Sequence, residues 1–291
     1  MRDVQHKGIV LAGGSGTRLY PATRAISKQL LPVFDKPMVY YPLSVLMLAG
    51  IRDILIISTP HDLPLFEALL GDGSQWGLTL TYREQPRPEG IAQALTIAGD
   101  VFPGSPLALI LGDNVFYSHG LTGKLQEATQ TPERATIFAH AVHDPERFGV
   151  VDFAEDGTVQ GIVEKPEVAP SPYAVTGLYF YPADAPEVAA SLTPSPRGEY
   201  EITDVNLAYL ERGLLNATLL GRGAAWLDTG TFDALLQAAN FVATVQTNQR
   251  FMVACPEEIA YRAGWITAEE VNAAADSLGN TEYAAYLRHL L

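Results

Sequence analysis

A glycine-rich loop that ends in an arginine is the first part of this chain with the residue types for chemistry. The apolar run IVLAG at 9–13 leads directly into GSGTRL at 14–19. Small residues let backbone N–H groups approach anionic oxygens, and a guanidinium such as that of Arg18 can hold a phosphate through two parallel hydrogen bonds. We interpret the loop as a phosphate-binding segment. A tight turn beside a surface arginine is the alternative for so short a pattern.

Two common phosphate-binding loops do not fit this stretch. A P-loop requires a lysine after its second glycine, and Gly14 stands there instead. A dinucleotide-binding loop requires a third glycine where this chain has Leu19. Lys28, in ISKQLLP, could supply a second cation to the same phosphates, although its spacing alone is equally consistent with a solvated lysine.

Two aspartates follow apolar runs that read as strands. Asp113 comes after LALILG and Asp228 after AAWL. Open α/β sheets bind ligands at the carboxyl ends of their strands, and paired carboxylates can hold Mg²⁺ against phosphate oxygens. Each aspartate could also be a turn or cap residue, and Asp228 before Thr229-Gly230 fits a turn well.

Strands and helices must position these residues, and the two alternate in the first half of the chain. This alternation favours a parallel sheet covered by helices on both faces. Strands are predicted at 9–13, 53–59, 78–85 and 106–113, and helices at 40–50, 62–73 and 90–102. The second half is less regular. Strands are predicted there at 135–142, 148–166 with a hairpin turn at 156–157, 174–182 and 214–221, and helices from 184, at 199–213 and at 231–246.

The overall prediction is an α/β fold in a single domain, with a mixed, mostly parallel central sheet flanked by helices. The end of the chain reads as helical, with breaks at Gly264 and Gly279. We divide the chain into a core at 1–250 and a helical C-terminal extension at 251–291 packing on it. Within the core, we distinguish a first part at about 1–115 from a second part at about 116–250.

Composition excludes several classes of protein. The 291 residues carry 19 Lys and Arg against 33 Asp and Glu, a formal charge of −14, which argues against a nucleic-acid partner. The single cysteine, Cys255, permits no intrachain disulfide. The longest apolar stretch, at 38–51, is too short to span a bilayer, and no secretory signal is read. We expect a cytoplasmic protein without a membrane partner.

The chain resembles the sugar nucleotidyltransferases. The resemblance rests on GGSGTRLYPATRAISKQLLP and continues through REQPRPEGIAQA, LILGDNVFY, DPERFGVV, EKP, YAVTGLYFY, SPRGEYEITDVN, GRGAAWLDTGT and CPEEIAYR. It implies a Rossmann-like nucleotidyltransferase fold and Mg²⁺-dependent thymidylyl transfer from dTTP to α-D-glucose 1-phosphate, the first step of dTDP-L-rhamnose biosynthesis. A uridylyl or other nucleotidyl transfer of the same fold, or a non-catalytic nucleotide-sugar sensor, are the alternatives.

The same resemblance implies that the first part of the core, about 1–115, binds the nucleotide and the second part, about 116–250, binds the sugar. It also implies a role for individual residues. It makes five of them catalytic: Arg18, Lys28, Lys165, Asp113 and Asp228, the two aspartates holding the metal. It implies nucleotide binding by Leu11, Ala12, Gly13, Gly14, Gly16, Thr17, Arg18, Lys28, Gln29, Gln85, Pro88, Gly90 and Asp113. It implies sugar binding by Asn114, Gly149, Glu164, Lys165, Val175 and Thr176.

A homotetramer, built as a dimer of dimers, with a second regulatory site is also implied by the resemblance. The residues matching that site are Tyr117, His119, Arg222, Glu258 and Arg262. The segment at 117–121 departs from the family pattern, and Glu258 with Arg262 could equally be an i,i+4 helix pair.

Overall fold

A nine-stranded mixed sheet with helices packed around it forms the centre of the protein. The computed structural model describes residues 5–14 and 16–291. The strands are β1 (Lys7–Leu11), β2 (Pro32–Val33), β3 (Lys36–Pro37), β4 (Asp53–Ser58), β5 (Thr79–Glu84), β6 (Leu107–Leu111), β7 (Asn114–Tyr117), β8 (Ala135–Ala141), β9 (Gly149–Phe153), β10 (Val159–Glu164), β11 (Tyr173–Tyr181), β12 (Leu215–Leu219) and β13 (Ala225–Asp228). The helices are α1 (Tyr40–Leu48), α2 (Leu63–Leu70), α3 (Gln93–Val101), α4 (Leu121–Thr129), α5 (Ala185–Ala190), α6 (Ile202–Glu211), α7 (Phe232–Gln249), α8 (Pro256–Arg262), α9 (Ala268–Ser277) and α10 (Glu282–His289).

The first half of the sheet is parallel, as predicted. Its strands lie in the order β6-β1-β4-β5, with β1 paired in parallel to both β4 and β6. Nearly every side chain of β1 and β4 is buried, which explains why these strands read as continuous apolar runs. Because they are parallel, the loops that follow β1, β4 and β6 emerge at one edge of the sheet.

The second half of the sheet is built on β11, a nine-residue strand with antiparallel partners along its length. β11 pairs with β6, β8 and β9, and β10 pairs with β9. The register with β8 shifts between Val175 and Tyr179, and β6 pairs with the end of the strand, from Leu178 to Tyr181. The sheet is therefore mixed, with its parallel pairs in the first half and between β8 and β12.

The sequence did not predict a short ribbon formed by β7 and β13 that lies off the main sheet. The two strands are antiparallel, and Asp228 is the register partner of Asn114. Since β7 follows β6 after one tight turn, the ribbon brings the end of β13 back to the carboxyl edge of the sheet. Helix α4, which buries Leu121, Leu125 and Ala128 along one face, is also additional to the predicted elements.

The C-terminal helices α8–α10 pack on the core, with α8 against α1. Trp76 Nε1 donates to Glu257 Oε1 at 2.9 Å, and Tyr283 OH donates to Glu257 Oε2 at 2.6 Å, so a buried carboxylate joins three separate segments. Helix α9 begins with a capping box between Thr267 and Glu270. Apolar residues of α1 and of these helices belong to one hydrophobic cluster. The helical end of the chain and its breaks agree with the prediction, whereas the boundary at residue 250 stays a prediction.

Candidate active site

The loop after β1 opens into a cleft of about 1030 Å³ at the carboxyl edge of the sheet. Gly14 and Gly16 have φ values of +97° and +58°, a region that favours glycine. A short 3₁₀ turn at Thr17–Leu19 follows, and it turns Arg18 into the cleft while Leu19 is buried beneath it. Thr23 Oγ1 donates to the Gly16 carbonyl at 2.7 Å and fixes the turn.

The predicted aspartate pair meets at this cleft. Asp113 follows β6 and Asp228 ends β13, and both line the cleft. The buried Thr229 holds the two ends together, because its N–H and its hydroxyl both donate to the Asp113 carbonyl, at 3.1 and 2.8 Å. Lys28 Nζ forms an ion pair with Asp113 Oδ2.

The electrostatics of the pair suit a cation. Burial, and then the charge of Asp113, raise the pKa of Asp228 to about 6, although Lys28, Arg147 and Arg18 act in the opposite direction. A nearby divalent ion would favour the ionised form of Asp228, and Mg²⁺ prefers carboxylate oxygens as ligands. Within the described residues there is no group of three or more His, Cys, Asp or Glu that could hold a metal, so these two carboxylates would need phosphate or water oxygens to complete its shell.

Asn114 orients one of these carboxylates. Its Nδ2 donates to Asp113 Oδ1 at 2.9 Å, while its Oδ1 accepts from Trp226 Nε1 at 2.6 Å and from the Gly177 N–H at 3.1 Å. Both of those partners can only donate, so the direction of the Asn114 amide is fixed. A Cβ on Gly177 would lie 2.6 Å from Asn114 Oδ1, which explains why this position of β11 has no side chain.

The opposite wall of the cleft carries Glu164 and Lys165. Thr203 Oγ1 donates to Glu164 Oε2 at 2.6 Å, and Arg197 Nη2 lies 3.4 Å from Glu164 Oε1. Lys165 lies at the end of β10 with a φ of +43°, which is unusual for a residue with a side chain, and its Nζ is 3.7 Å from Glu164 Oε1. Gly149 and Val175 line the same part of the cleft.

Thr176 does not face the cleft. Its side chain is fully buried and its hydroxyl donates to the Phe138 carbonyl of β8 at 3.0 Å. The alternation of side chains along β11 places its neighbour Val175 on the cleft side and Thr176 on the other. The Thr176 side chain therefore does not line the cleft, and the sugar-binding role predicted for this residue stays a prediction.

Three of the residues predicted to bind the nucleotide, Leu11, Ala12 and Gln29, support the glycine loop from the side of the sheet. The backbones of Leu11 and Ala12 belong to the sheet, with the Ala12 N–H donating to Ile57 O at 2.8 Å. Gln29 is buried and its Nε2 donates to the Gly13 carbonyl at 3.3 Å. These contacts support the loop and leave Gly14, Gly16 and Thr17 to line the cleft.

Gln85, Pro88 and Gly90 lie beside this loop on the segment after β5. Gln85 is buried, with its Oε1 directed at the Gly13 backbone, and Pro88 is exposed. Gly90 has a φ of +111°, and a Cβ there would lie 2.3 Å from the Tyr200 carbonyl oxygen. The Tyr200 backbone leaves no room for a side chain here, so glycine is required at this position independently of any ligand in the cleft.

Comparison with known proteins agrees with this geometry. Residues 7–245 match the nucleotidyl transferase family. The chain belongs to the nucleotidyl transferase family. A glucose-1-phosphate thymidylyltransferase of Xanthomonas campestris is 58% identical over 98% of this chain and 97% of its own length. The enzyme of the same name from Neisseria gonorrhoeae is 55% identical over 98% of this chain and 99% of its own length.

Solved structures of family members share the fold. A Bacillus anthracis protein assigned as a glucose-1-phosphate thymidylyltransferase, in complex with a sucrose, superposes with a TM-score of 0.75 at 40% identity, over 81% of this chain and 94% of that one. A UDP-glucose pyrophosphorylase in complex with UDP-glucose gives a TM-score of 0.73 at 25% identity, over 82% of this chain and 99% of that one.

Beyond the cleft, this family member has a second cavity of about 460 Å³, between α1, α8 and the end of β7. Tyr117, Glu258 and Arg262 line it, and Arg262 Nε donates to Glu258 Oε1 at 2.7 Å as an i,i+4 pair. Arg222 and His119 are exposed outside this lining. Three of the five residues predicted for a regulatory site are thus brought together, and the helix-pair interpretation of Glu258 and Arg262 holds as well.

Two arginines of the cleft were missed from the sequence. Arg147 lies in the turn before β9, and its charge acts on Asp228. Arg197 follows the loop at 193–196 and donates to Glu201 Oε1 and Oε2 at 2.8 and 2.9 Å. Both occur in the motifs DPERFGVV and SPRGEYE, but only the folded chain shows that they face the same space as Arg18 and Lys28. Among the described residues, no helix is long and apolar enough to cross a membrane.

Proposed function

We propose that this chain transfers a thymidylyl group from dTTP to α-D-glucose 1-phosphate, releasing dTDP-glucose and pyrophosphate. The observation that carries the proposal is one cleft in which a carboxylate pair, a phosphate-type glycine loop and several cations face each other. The choice of thymidylyl and glucosyl substrates is supported by the name shared by the Xanthomonas and Neisseria relatives. The predicted place in dTDP-L-rhamnose formation rests on this reaction.

The reaction needs little acid–base chemistry. An oxygen of the sugar phosphate, already anionic at neutral pH, attacks the α-phosphorus of dTTP, a P–O bond forms, and the bond to the β-phosphate oxygen breaks. Pyrophosphate leaves with the electron pair. Catalysis then consists of holding two anions in line and stabilising the charge on the leaving group.

The residues of the cleft divide this work between its two walls. Arg18 and Lys28, beside the glycine loop, would bind the triphosphate and stabilise departing pyrophosphate. Lys165 would hold the attacking phosphate, and Glu164 the sugar hydroxyls, since a carboxylate can accept from two of them. Thr203 supports this assignment by fixing one oxygen of Glu164.

Asp113 and Asp228 would hold Mg²⁺. The ion would screen the repulsion between the two phosphates and polarise the α-phosphoryl group. The fit is supported by the raised pKa of Asp228, which burial and then the charge of Asp113 cause, because a divalent ion beside the two carboxylates would offset both effects. Lys28 forms an ion pair with Asp113, so its ammonium lies where it could bind the same phosphate oxygens as that ion.

Uridylyl transfer is the second candidate, because a UDP-glucose pyrophosphorylase has the same fold. One methyl group separates thymine from uracil, and a pocket distinguishes such a difference by only about 1–3 kcal/mol. The purified protein should be assayed with glucose 1-phosphate and each of dTTP, UTP, dCTP and GTP, with pyrophosphate release as the readout. The highest kcat/KM is expected with dTTP. Binding of dTTP without pyrophosphate release would instead support a sensor.

The proposed assembly is a homotetramer with a regulatory cavity at Tyr117, Glu258 and Arg262. The regulatory role is supported by the second cavity, which is separate from the active-site cleft, and the tetramer rests on the resemblance to the sugar nucleotidyltransferases. Sedimentation would test the assembly. Kinetics with added dTDP-rhamnose would test the regulation, and unchanged rates would count against it.

A further inference from the structure

Gln85 is the last of three side chains joined by hydrogen bonds behind the glycine loop. It follows β5 and is only 5% exposed. Its Oε1 lies against the loop, 2.8 Å from where a Cβ on Gly13 would stand. Gln85 therefore lies within reach of the nucleoside of a triphosphate whose phosphates are held by that loop.

The series of hydrogen bonds begins at Glu89, whose carboxylate can accept hydrogen bonds but not donate them. Gln93 Nε2 donates to Glu89 Oε2 at 2.8 Å. The Oε1 of Gln93 must then face the other way, and it accepts from Gln85 Nε2 at 2.7 Å. The Gly90 carbonyl also accepts from Gln85 Nε2, at 3.2 Å. Two acceptors therefore fix the direction of the Gln85 amide.

The backbone that carries Glu89 is itself restrained. The Tyr200 N–H donates to the Glu89 carbonyl at 2.7 Å, and the Ala92 N–H donates to the Tyr200 carbonyl at 3.2 Å. The close approach of Gly90 to Tyr200 completes this contact. These backbone contacts on both sides of Gly90 restrain the segment from which the Glu89 side chain reaches Gln93.

The consequence lies at the free end of the series. Gln85 Oε1 accepts no hydrogen bond from any residue that the structure describes, so the side chain offers a nucleotide an acceptor. Thymine and uracil carry an N–H donor at ring position 3. Cytosine carries a lone pair there, and two acceptors facing each other in a buried site leave both unpaired.

We propose that Glu89 and Gln93 are positioning residues that select the nucleotide, by fixing Gln85 as an acceptor for bases with an N–H at ring position 3 and against cytosine. This rests on the proposed function and on the nucleotide-binding role that the family resemblance implies for Gln85.

The test compares kcat/KM for dTTP and dCTP in variants that reverse or keep this hydrogen-bond direction. Gln93→Lys replaces the acceptor of Gln85 by a donor. The lysine ammonium, paired with Glu89, would favour a Gln85 amide turned so that its Oε1 faces position 93. The dTTP:dCTP ratio is expected to fall on the order of tenfold or more. Gln130→Lys, an exposed change of the same kind at the end of α4, serves as the charge control.

The exchange variant E89Q/Q93E keeps the direction of the hydrogen bonds. The amide introduced at position 89 would donate to the carboxylate introduced at position 93, and that carboxylate would still accept from Gln85. The dTTP:dCTP ratio is therefore expected to stay within about threefold of wild type, whatever the turnover.

A merely structural role for Gln93 would lower both kcat/KM values together. A ratio unchanged in Gln93→Lys overturns the proposal, and so does an exchange variant that loses the preference. Should Gln93→Lys fail to fold, Gln93→Met removes this acceptor without adding charge. The Gly90 carbonyl then remains as the second acceptor of Gln85, so a smaller fall in the ratio is required, and an unchanged ratio overturns the proposal. Failure of the proposed function is a different result: the wild-type protein would then release no pyrophosphate from dTTP. If UTP proves the better substrate, the UTP:CTP ratio replaces the first one.

Discussion

Replacing Asp228 by asparagine should stabilise the protein in the absence of divalent cations while removing its turnover. In the folded protein, the ionised Asp228 is desolvated and lies near the charge of Asp113. Asparagine has nearly the same shape and carries no charge. The substitution therefore removes an unfavourable interaction, together with a ligand that the reaction needs.

The size of the effect follows from the pKa. Asp228 has a pKa of about 6 in the folded protein, against an ordinary value of 3.8. A pKa raised on folding favours the folded state below pH 3.8, and this advantage disappears as the pH rises through 6. At about 1.4 kcal/mol per pH unit, the loss reaches about 3 kcal/mol at pH 8 and about half of that at pH 5.

Urea unfolding with a chelator present, at pH 8 and at pH 5, measures this directly. The Asp228→Asn variant is expected to exceed the wild type in unfolding free energy by about 3 kcal/mol at pH 8 and about 1.5 kcal/mol at pH 5. Asp100→Asn, an exposed change in α3, should show no such gap. The reasoning is refuted if the variant is no more stable than the wild type at pH 8, or if the gap is the same at both pH values.

Three further predictions concern other residues. Arg18→Ala should lower kcat about 10²- to 10³-fold, as for other contacts to transition-state charge; normal turnover with a raised dTTP requirement would contradict its role. Thr203→Val removes the 2.6 Å hydrogen bond to Glu164 and should raise KM for glucose 1-phosphate about tenfold with little change in kcat; steady-state kinetics would contradict this if only kcat fell. His6 is buried, neither ring nitrogen has a partner among the described residues, and burial lowers its pKa to about 4. The wild type should therefore lose up to about 3 kcal/mol of stability as the pH falls from 6.5 to 4, and His6→Leu should lose correspondingly less in urea titrations; parallel pH curves for the two proteins would rule this out.

Much of the fold could be predicted because its strands are short, apolar and separated by clear helix patterns. The buried parallel strands β1, β4 and β6 and the breaks at Gly264 and Gly279 are confirmed in the structure. The ribbon of β7 and β13 was not predicted, since each of its strands has four residues and no distinctive alternation. Yet this ribbon is the element that brings Asp228 to Asp113.

The site shows the same division between local and long-range information. The glycine loop and the two aspartates follow apolar runs, so the sequence could point to them as candidates, and their roles stay predictions. Arg147 and Arg197 could not be, because an arginine in a loop carries no local sign of the cleft it will face. The orientation of Thr176 depends on the register of β11 against β8, which the sequence alone does not specify.

The packing of α8 on α1 has a consequence for synthesis of the chain. Helix α1 ends at Leu48, whereas apolar residues that share its cluster, such as Ala260 and Leu287, are translated much later. During translation an earlier part of a chain can begin to fold before the rest has emerged. Here the face of α1 that contacts α8 would remain uncovered until that helix leaves the ribosome. Helix α8 would therefore complete the packing of a segment made much earlier.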